Sequence, residues 1–154
     1  MDETAFLASA DALLDASAPP VTTLANASAL LYGTLEGVNW AGFYLLRDGV
    51  LWLGPFQGKP ACLRIPLGKG VCGAAFEKNE TLLVPDVHKF PGHIACDVSS
   101  RSEIVTPLRG QDGKPFGVLD LDSPFVNRFT RQDARLLESF ASLVAERCGT
   151  QPCF

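Results

Sequence analysis

Two Asp-Gly dipeptides, at positions 48–49 and 112–113, constrain the fold of this chain more than any other feature. Each stands between two runs that favour β-strands: Trp40–Leu46 and Val50–Gly54 around the first, Glu103–Arg109 and Phe116–Leu121 around the second. Asp-Gly flanked by two such runs is a strong signal for a β-hairpin. The sequence therefore predicts two antiparallel hairpins in the middle of the chain.

Helical patterns stand at both ends of the chain. Asp2–Leu14 has apolar residues at helical spacing, and Val21–Tyr32 is followed by a capping glycine, Gly33. Thr130 caps a third helix, whose apolar stripe consists of Leu136, Leu137, Phe140, Leu143 and Val144. Between the hairpins, the patterns predict short strands at Cys62–Pro66 and Thr81–Val84 and a short helix at Val71–Lys78.

The predicted fold class is α+β. We expect a central antiparallel sheet of about six strands, with the N- and C-terminal helices packed on one face and a ligand pocket on the other. The 154 residues fit a single domain, 1–154, with a core of about 21–147 and a short tail at 148–154.

Net charge and hydropathy limit which classes of partner this protein can bind. A net charge of −4 argues against a nucleic-acid surface, which needs clustered Lys and Arg. There is no apolar run of about 18 residues to span a membrane, and no basic segment opens a signal peptide. We expect a cytoplasmic protein whose partner is a small molecule or another protein.

The segment from Pro85 to Ser100 has no periodicity, and we predict a long functional loop. It contains Cys96 and leads into a strand that opens with Glu103. Binding and catalytic groups are commonly carried by loops that a rigid strand holds in place. Cys96 is thus a candidate nucleophile or redox centre, while His88 and His93 are interpreted as ordinary loop residues.

The chain has five cysteines: Cys62, Cys72, Cys96, Cys148 and Cys153. An odd number without an export signal argues against a structural disulfide framework of the secreted kind. Packing, metal binding and redox chemistry remain as their roles.

Several segments together resemble one family. They are NWAGFYLL (39–46), GPFQGKPACLRIPLGKGVCG (54–73), VPDVHKFPGHIACD (84–97), SEIVTPL (102–108) and GVLDLDSP (117–124). In these segments the chain resembles the GAF-fold free methionine-(R)-sulfoxide reductases over roughly residues 21 to 145. The three-cysteine pattern of Cys62, Cys72 and Cys96 distinguishes this family from other GAF domains.

The resemblance implies an enzyme without a cofactor that reduces free methionine (R)-sulfoxide and is regenerated by thioredoxin. It assigns Cys96 as the catalytic cysteine, Cys62 as the principal resolving cysteine and Cys72 as a third cysteine in the pocket. Such chemistry is plausible for thiols: attack on a sulfoxide leaves a sulfenic acid, and a second thiol condenses with it to a disulfide. Cys148 and Cys153 fall outside the match and receive no role.

The resemblance also implies that three acids, Glu103, Asp120 and Asp122, line the site, with Trp40 and Tyr44 as its aromatic walls. Asp120 and Asp122 are two apart on a predicted strand and so face the same side, where each should raise the pKa of the other. Trp40 and Tyr44, four apart, also share a face and can enclose a thioether or contact an ammonium group. The Gly68-Lys69-Gly70 turn offers backbone N–H groups to a carboxylate.

Two rival interpretations use the same residues. A GAF module that binds a small ligand or senses redox state without catalysis normally continues into an output domain, so a free-standing chain favours the enzyme. A zinc site from Cys62, Cys72, Cys96 and His93 lacks the closely spaced ligand pairs of structural zinc sites, and we predict no metal. The sequence leaves the oligomeric state open, a homodimer included.

Overall fold

The six strands that the computed structural model describes, in residues 2–94 and 97–153, form one sheet. The strands are β1 (Trp40–Arg47), β2 (Val50–Gly58), β3 (Arg64–Pro66), β4 (Leu82–Val84), β5 (Ser102–Arg109) and β6 (Pro115–Ser123). The helices are α1 (Glu3–Leu13), α2 (Pro20–Thr34), α3 (Gly70–Lys78) and α4 (Arg131–Cys148), with a 3-10 turn at Val87–Lys89. None of the helices described is both long enough and apolar enough to cross a bilayer.

The sheet joins the two predicted hairpins side by side. Its order is β3-β2-β1-β6-β5-β4, and every neighbouring pair is antiparallel. β1 and β2 form one hairpin, β5 and β6 form the other, and β1 pairs with β6 in the centre. The predicted α+β fold with about six antiparallel strands is therefore confirmed.

One face of the sheet is covered by α1, α2 and α4. Alternate residues of β1 and β6 point to this face, and they are fully or almost fully buried: Ala41, Phe43, Leu45, Leu119 and Leu121. α4 begins with a capping box in which Thr130 and Asp133 bond each other's backbone N–H groups. Its Phe140 ring lies 5.3 Å from the ring of Phe6 in α1, so the two terminal helices share one apolar core.

The opposite face carries α3. Val71, Cys72 and Ala75 of this helix are buried against the other alternate set of strand residues, among them Tyr44 and Val118. Gly70 opens the helix at φ +61°, and a Cβ there would lie 3.1 Å from the side chain of Ile94. L-residues rarely adopt this backbone conformation. A glycine at this position therefore allows both the turn and the close approach of the loop that carries Ile94. A helix therefore covers part of the pocket face. The sequence patterns predicted this helix but not its position over the pocket.

Several strand boundaries differ from the predicted ones, and two of the differences concern β2 and β3. β2 continues to Gly58 instead of ending at Gly54, because a bulge between Gly42 and Tyr44 leaves Pro55 outside the regular ladder. β3 begins at Arg64, and not at Cys62 as predicted. Cys62 thus lies in the loop before the strand.

Candidate functional site

A cavity of about 30 Å³ lies on the α3 face of the sheet. Six of the predicted site residues line it: Trp40, Tyr44, Cys72, Glu103, Asp120 and Asp122. Cys96, the predicted nucleophile, lies outside the described residues, but Ile94 and Asp97 on either side of it in the sequence both line the cavity. The strand register explains the grouping, since Asp122 of β6 stands opposite Trp40 of β1 and Glu103 of β5.

The three acids form one buried cluster. Glu103 and Asp120 are only 7% and 5% exposed, and Asp122 is half-buried. Burial raises the pKa of Glu103 and of Asp122 well above the usual range, and the charge of Asp120 raises both further. The pKa of Asp120 is also raised by burial, but hydrogen bonds to Glu103 and Cys72 oppose this. The raised pKa values favour the protonated forms of these carboxyl groups.

One oxygen of Asp120 is an open acceptor. Its Oδ1 is buried and has no hydrogen-bond partner among the described residues, although Asp120 lines the cavity. Buried polar atoms in folded proteins are nearly always bonded, so an exception at a cavity wall indicates a place for a ligand.

Cys72 is a buried thiol in the first turn of α3. Burial raises its pKa well above the usual range, and the neighbouring charges of Asp120, Glu103 and Asp122 raise it further. A thiol is nucleophilic as its thiolate. Cys72 is therefore a poor attacking group as long as the acid cluster surrounds it.

The aromatic walls form a stack. The rings of Trp40 and Tyr44 lie 6.0 Å apart, and Phe56 stacks on Trp40 at 5.2 Å. This confirms that Trp40 and Tyr44 share one face of β1. The Tyr44 hydroxyl donates to the backbone carbonyl of Cys62 at 2.9 Å, which ties the loop of Cys62 to the wall of the cavity.

The described cysteines differ in oxidation state. Cys62 is disulfide-bonded. Within the described ranges, the free thiols are Cys72, Cys148 and Cys153. Cys62, one of the four residues of the zinc site considered above, offers no thiolate while it is disulfide-bonded.

His93 lines the cavity, although sequence reasoning did not place it in the site. Its Nε2 lies 3.9 Å from Oε1 of Glu103, and its side chain is 16% exposed at the cavity wall. Burial lowers its pKa, with a smaller contribution from the charge of His88, so the ring is neutral near pH 7. The interpretation of His93 as an ordinary loop residue did not anticipate this place at the cavity wall, whereas His88 is exposed on the 3-10 turn.

The glycine turn before α3 does not offer the predicted row of free N–H groups. The Gly68 N–H donates to the Gly73 carbonyl at 3.0 Å, and the Lys69 N–H donates to Pro66 at 3.1 Å. Gly70 itself lines the cavity. The turn therefore shapes the cavity wall, and two of its three N–H groups are unavailable for a carboxylate.

Comparison with known proteins gives one consistent result. A model of the GAF domain matches residues 19–147. Free methionine-R-sulfoxide reductase of Escherichia coli is 50% identical over 154 residues, covering 97% of this chain and 93% of that protein. The Saccharomyces cerevisiae protein of the same name is 45% identical over 150 residues, covering 93% and 83%. The structure of fRMsr of Staphylococcus aureus in complex with substrate has a TM-score of 0.90 at 44% identity, covering 96% of each chain.

The fold and the matched domain place this chain among the GAF-domain proteins. At this level of identity over nearly the whole length, it belongs to the free methionine-R-sulfoxide reductases, a family of enzymes.

Proposed function

We propose that this chain reduces free methionine (R)-sulfoxide to methionine, with Cys96 as the nucleophile and Cys62 as the resolving thiol. A dithiol protein of the thioredoxin type then reduces the disulfide. The observation that carries the proposal is the arrangement of the cavity: proton-holding acids and an open Asp120 oxygen stand beside an aromatic wall, next to the loop of Cys62.

Each part of the substrate has a matching group. The ammonium group pairs with the carboxylate of Asp120, a buried side chain at the cavity wall. The methyl thioether end packs against Trp40 and Tyr44. Glu103, protonated because burial raises its pKa, donates a hydrogen bond to the sulfoxide oxygen.

The proposed reaction has three steps, and atoms and electrons balance in each. The Cys96 thiolate attacks the sulfoxide sulfur, the oxygen is transferred as protons arrive from the acids, and methionine leaves a sulfenic acid behind. The Cys62 thiol then condenses with the sulfenic acid, which forms the disulfide and releases water. Exchange with an external dithiol restores both thiols and oxidises that dithiol.

The cavity is small for the proposed substrate. About 30 Å³ is room for roughly two waters, and an amino acid needs more. The cavity has this size while Cys62 is disulfide-bonded. We therefore propose that the substrate binds after the disulfide is reduced, when that bond no longer holds the Cys62 loop and the cavity can widen.

A single turnover without reductant tests the assignment. Reduced Cys96→Ser should yield no methionine, while Cys62→Ser should yield one equivalent and then stop. Cys148→Ser is the matched control and should behave as the unmodified protein. Activity of Cys96→Ser would contradict the proposal, and substrate binding without turnover in the unmodified protein would favour a non-catalytic sensor instead.

A further inference from the structure

Three donor atoms of different chemistry meet in the cavity. The Sγ of Cys72, a carboxylate oxygen of Glu103 and a carboxylate oxygen of Asp120 all lie within 4.8 Å of one another. They come from α3, β5 and β6 respectively. Metal–ligand distances of about 2.3 Å for sulfur and 2.0 to 2.2 Å for oxygen place the donors of a tetrahedral site roughly 3.5 Å apart. A modest contraction of these side chains reaches that geometry.

A fourth possible donor stands beside Glu103 but lies outside this group of three. The Nε2 of His93 lies 3.9 Å from Oε1 of Glu103, and the side chain of His93 is mostly buried. A neutral imidazole nitrogen is the commonest metal ligand in proteins. Together the four residues provide one sulfur, one nitrogen and two carboxylates.

A separate observation indicates a cationic ligand. The Oδ1 atom of Asp120 is buried, belongs to a side chain at the cavity wall and finds no hydrogen-bond partner within residues 2–94 and 97–153. The residue is 95% buried, since only 5% of its surface is exposed. The cavity of about 30 Å³ accepts a metal ion with a bound water more readily than an amino acid.

We infer that this cavity is a binding site for a thiophilic divalent cation, Zn²⁺ or Cd²⁺, held by Cys72, Glu103, Asp120 and His93. A thiolate and an imidazole select such ions over Mg²⁺ and Ca²⁺, which prefer oxygen ligands alone. The bound ion occupies the acids that the substrate needs, so it inhibits by competition. The competition rests on the proposed function, whereas the metal binding does not.

Cadmium titration of the oxidised protein tests the site without measuring activity. Disulfide formation removes the two proposed redox cysteines as ligands, and a Cys148→Ser/Cys153→Ser background removes the two other free thiols. We expect one equivalent of Cd²⁺ by equilibrium dialysis, together with the ultraviolet charge-transfer band of a cadmium–thiolate bond. Mg²⁺ in excess should not displace it.

The decisive variant is Cys72→Ser in the same background. It should abolish the charge-transfer band and weaken cadmium binding by more than about tenfold, a loss that even outer ligand partners can cause. An unchanged band, or no cadmium bound by the background protein, would overturn the inference. Should Cys72→Ser fail to fold, Asp120→Asn serves in its place: weakened binding supports the site, and unchanged affinity rejects it. Cadmium binding by a protein that fails to reduce the sulfoxide would refute the proposed function alone.

Discussion

The two faces of the sheet use the same strands for opposite chemistry. On the helix face, β1 and β6 present Phe43 and Leu121, each fully buried among apolar side chains. On the cavity face, the neighbouring positions are Tyr44 and Asp120. The alternation of a strand encodes both faces. The two faces therefore have different roles. Burial of apolar side chains on the helix face stabilises the fold and offsets the unfavourable burial of acids on the cavity face.

The largest expected effect belongs to the helix face. Phe140→Ala removes a fully buried ring that contacts Phe6 and should lower the free energy of unfolding by about 3 to 5 kcal/mol. Urea denaturation followed by circular dichroism measures this. Phe125→Ala, at a ring that is 61% exposed, is the matched control and should change stability by no more than about 0.5 kcal/mol. Equal losses in the two variants would contradict the assignment of the core.

Asp120→Asn on the cavity face should have the reverse profile. It removes the proposed partner of the substrate ammonium group, and we expect kcat/KM to fall by about a hundredfold, within the range of lost acid–base or charge contacts. Stability should stay level or increase, because a buried charge is removed. Asp112→Asn, at an exposed turn, is the control. A stability loss as large as that of Phe140→Ala would show that Asp120 is structural.

The pH dependence of stability distinguishes the two faces as well. The pKa of Glu103 is raised on folding by burial and by the charges of Asp120 and Asp122. Its stabilising contribution is therefore complete below its unfolded pKa, about 4.5, and is lost as pH rises through the folded pKa. Glu103→Gln should raise the free energy of unfolding at pH 8 and have little effect at pH 4. The exposed Glu138→Gln should leave the profile unchanged, and a Glu103→Gln profile parallel to that of the unmodified protein would refute the effect.

The smallest expected effect concerns the hydrogen bond between Tyr44 in the cavity wall and the loop of Cys62. Tyr44→Phe removes the hydrogen bond to the Cys62 carbonyl and should cost about 0.5 to 1.5 kcal/mol. Because that bond positions the Cys62 loop, we also expect slower disulfide formation after a single turnover, measured by thiol trapping. Tyr32→Phe, on an exposed tyrosine, is the control. Unchanged disulfide kinetics in Tyr44→Phe would remove the positioning role.

The sequence predicted those features that depend on local rules. The Asp-Gly turns placed both hairpins, and the period of two put Asp120 with Asp122 and Trp40 with Tyr44. The position of α3 depended on its packing partners across the chain, which its small residues do not reveal. The continuation of β2 past Pro55 required the bulge opposite it. The approach of His93 to Glu103 is a tertiary contact between a loop and a strand, and no spacing rule reports it.

The central claim is that the acid-lined cavity and its thiols reduce a free amino-acid sulfoxide of one configuration. The most direct measurement compares turnover of the separated R and S epimers of free methionine sulfoxide with turnover of peptide-bound methionine sulfoxide. We predict methionine from the free R epimer and little or none from the other two substrates. Equal turnover of both epimers, or preference for the peptide-bound form, would contradict the account.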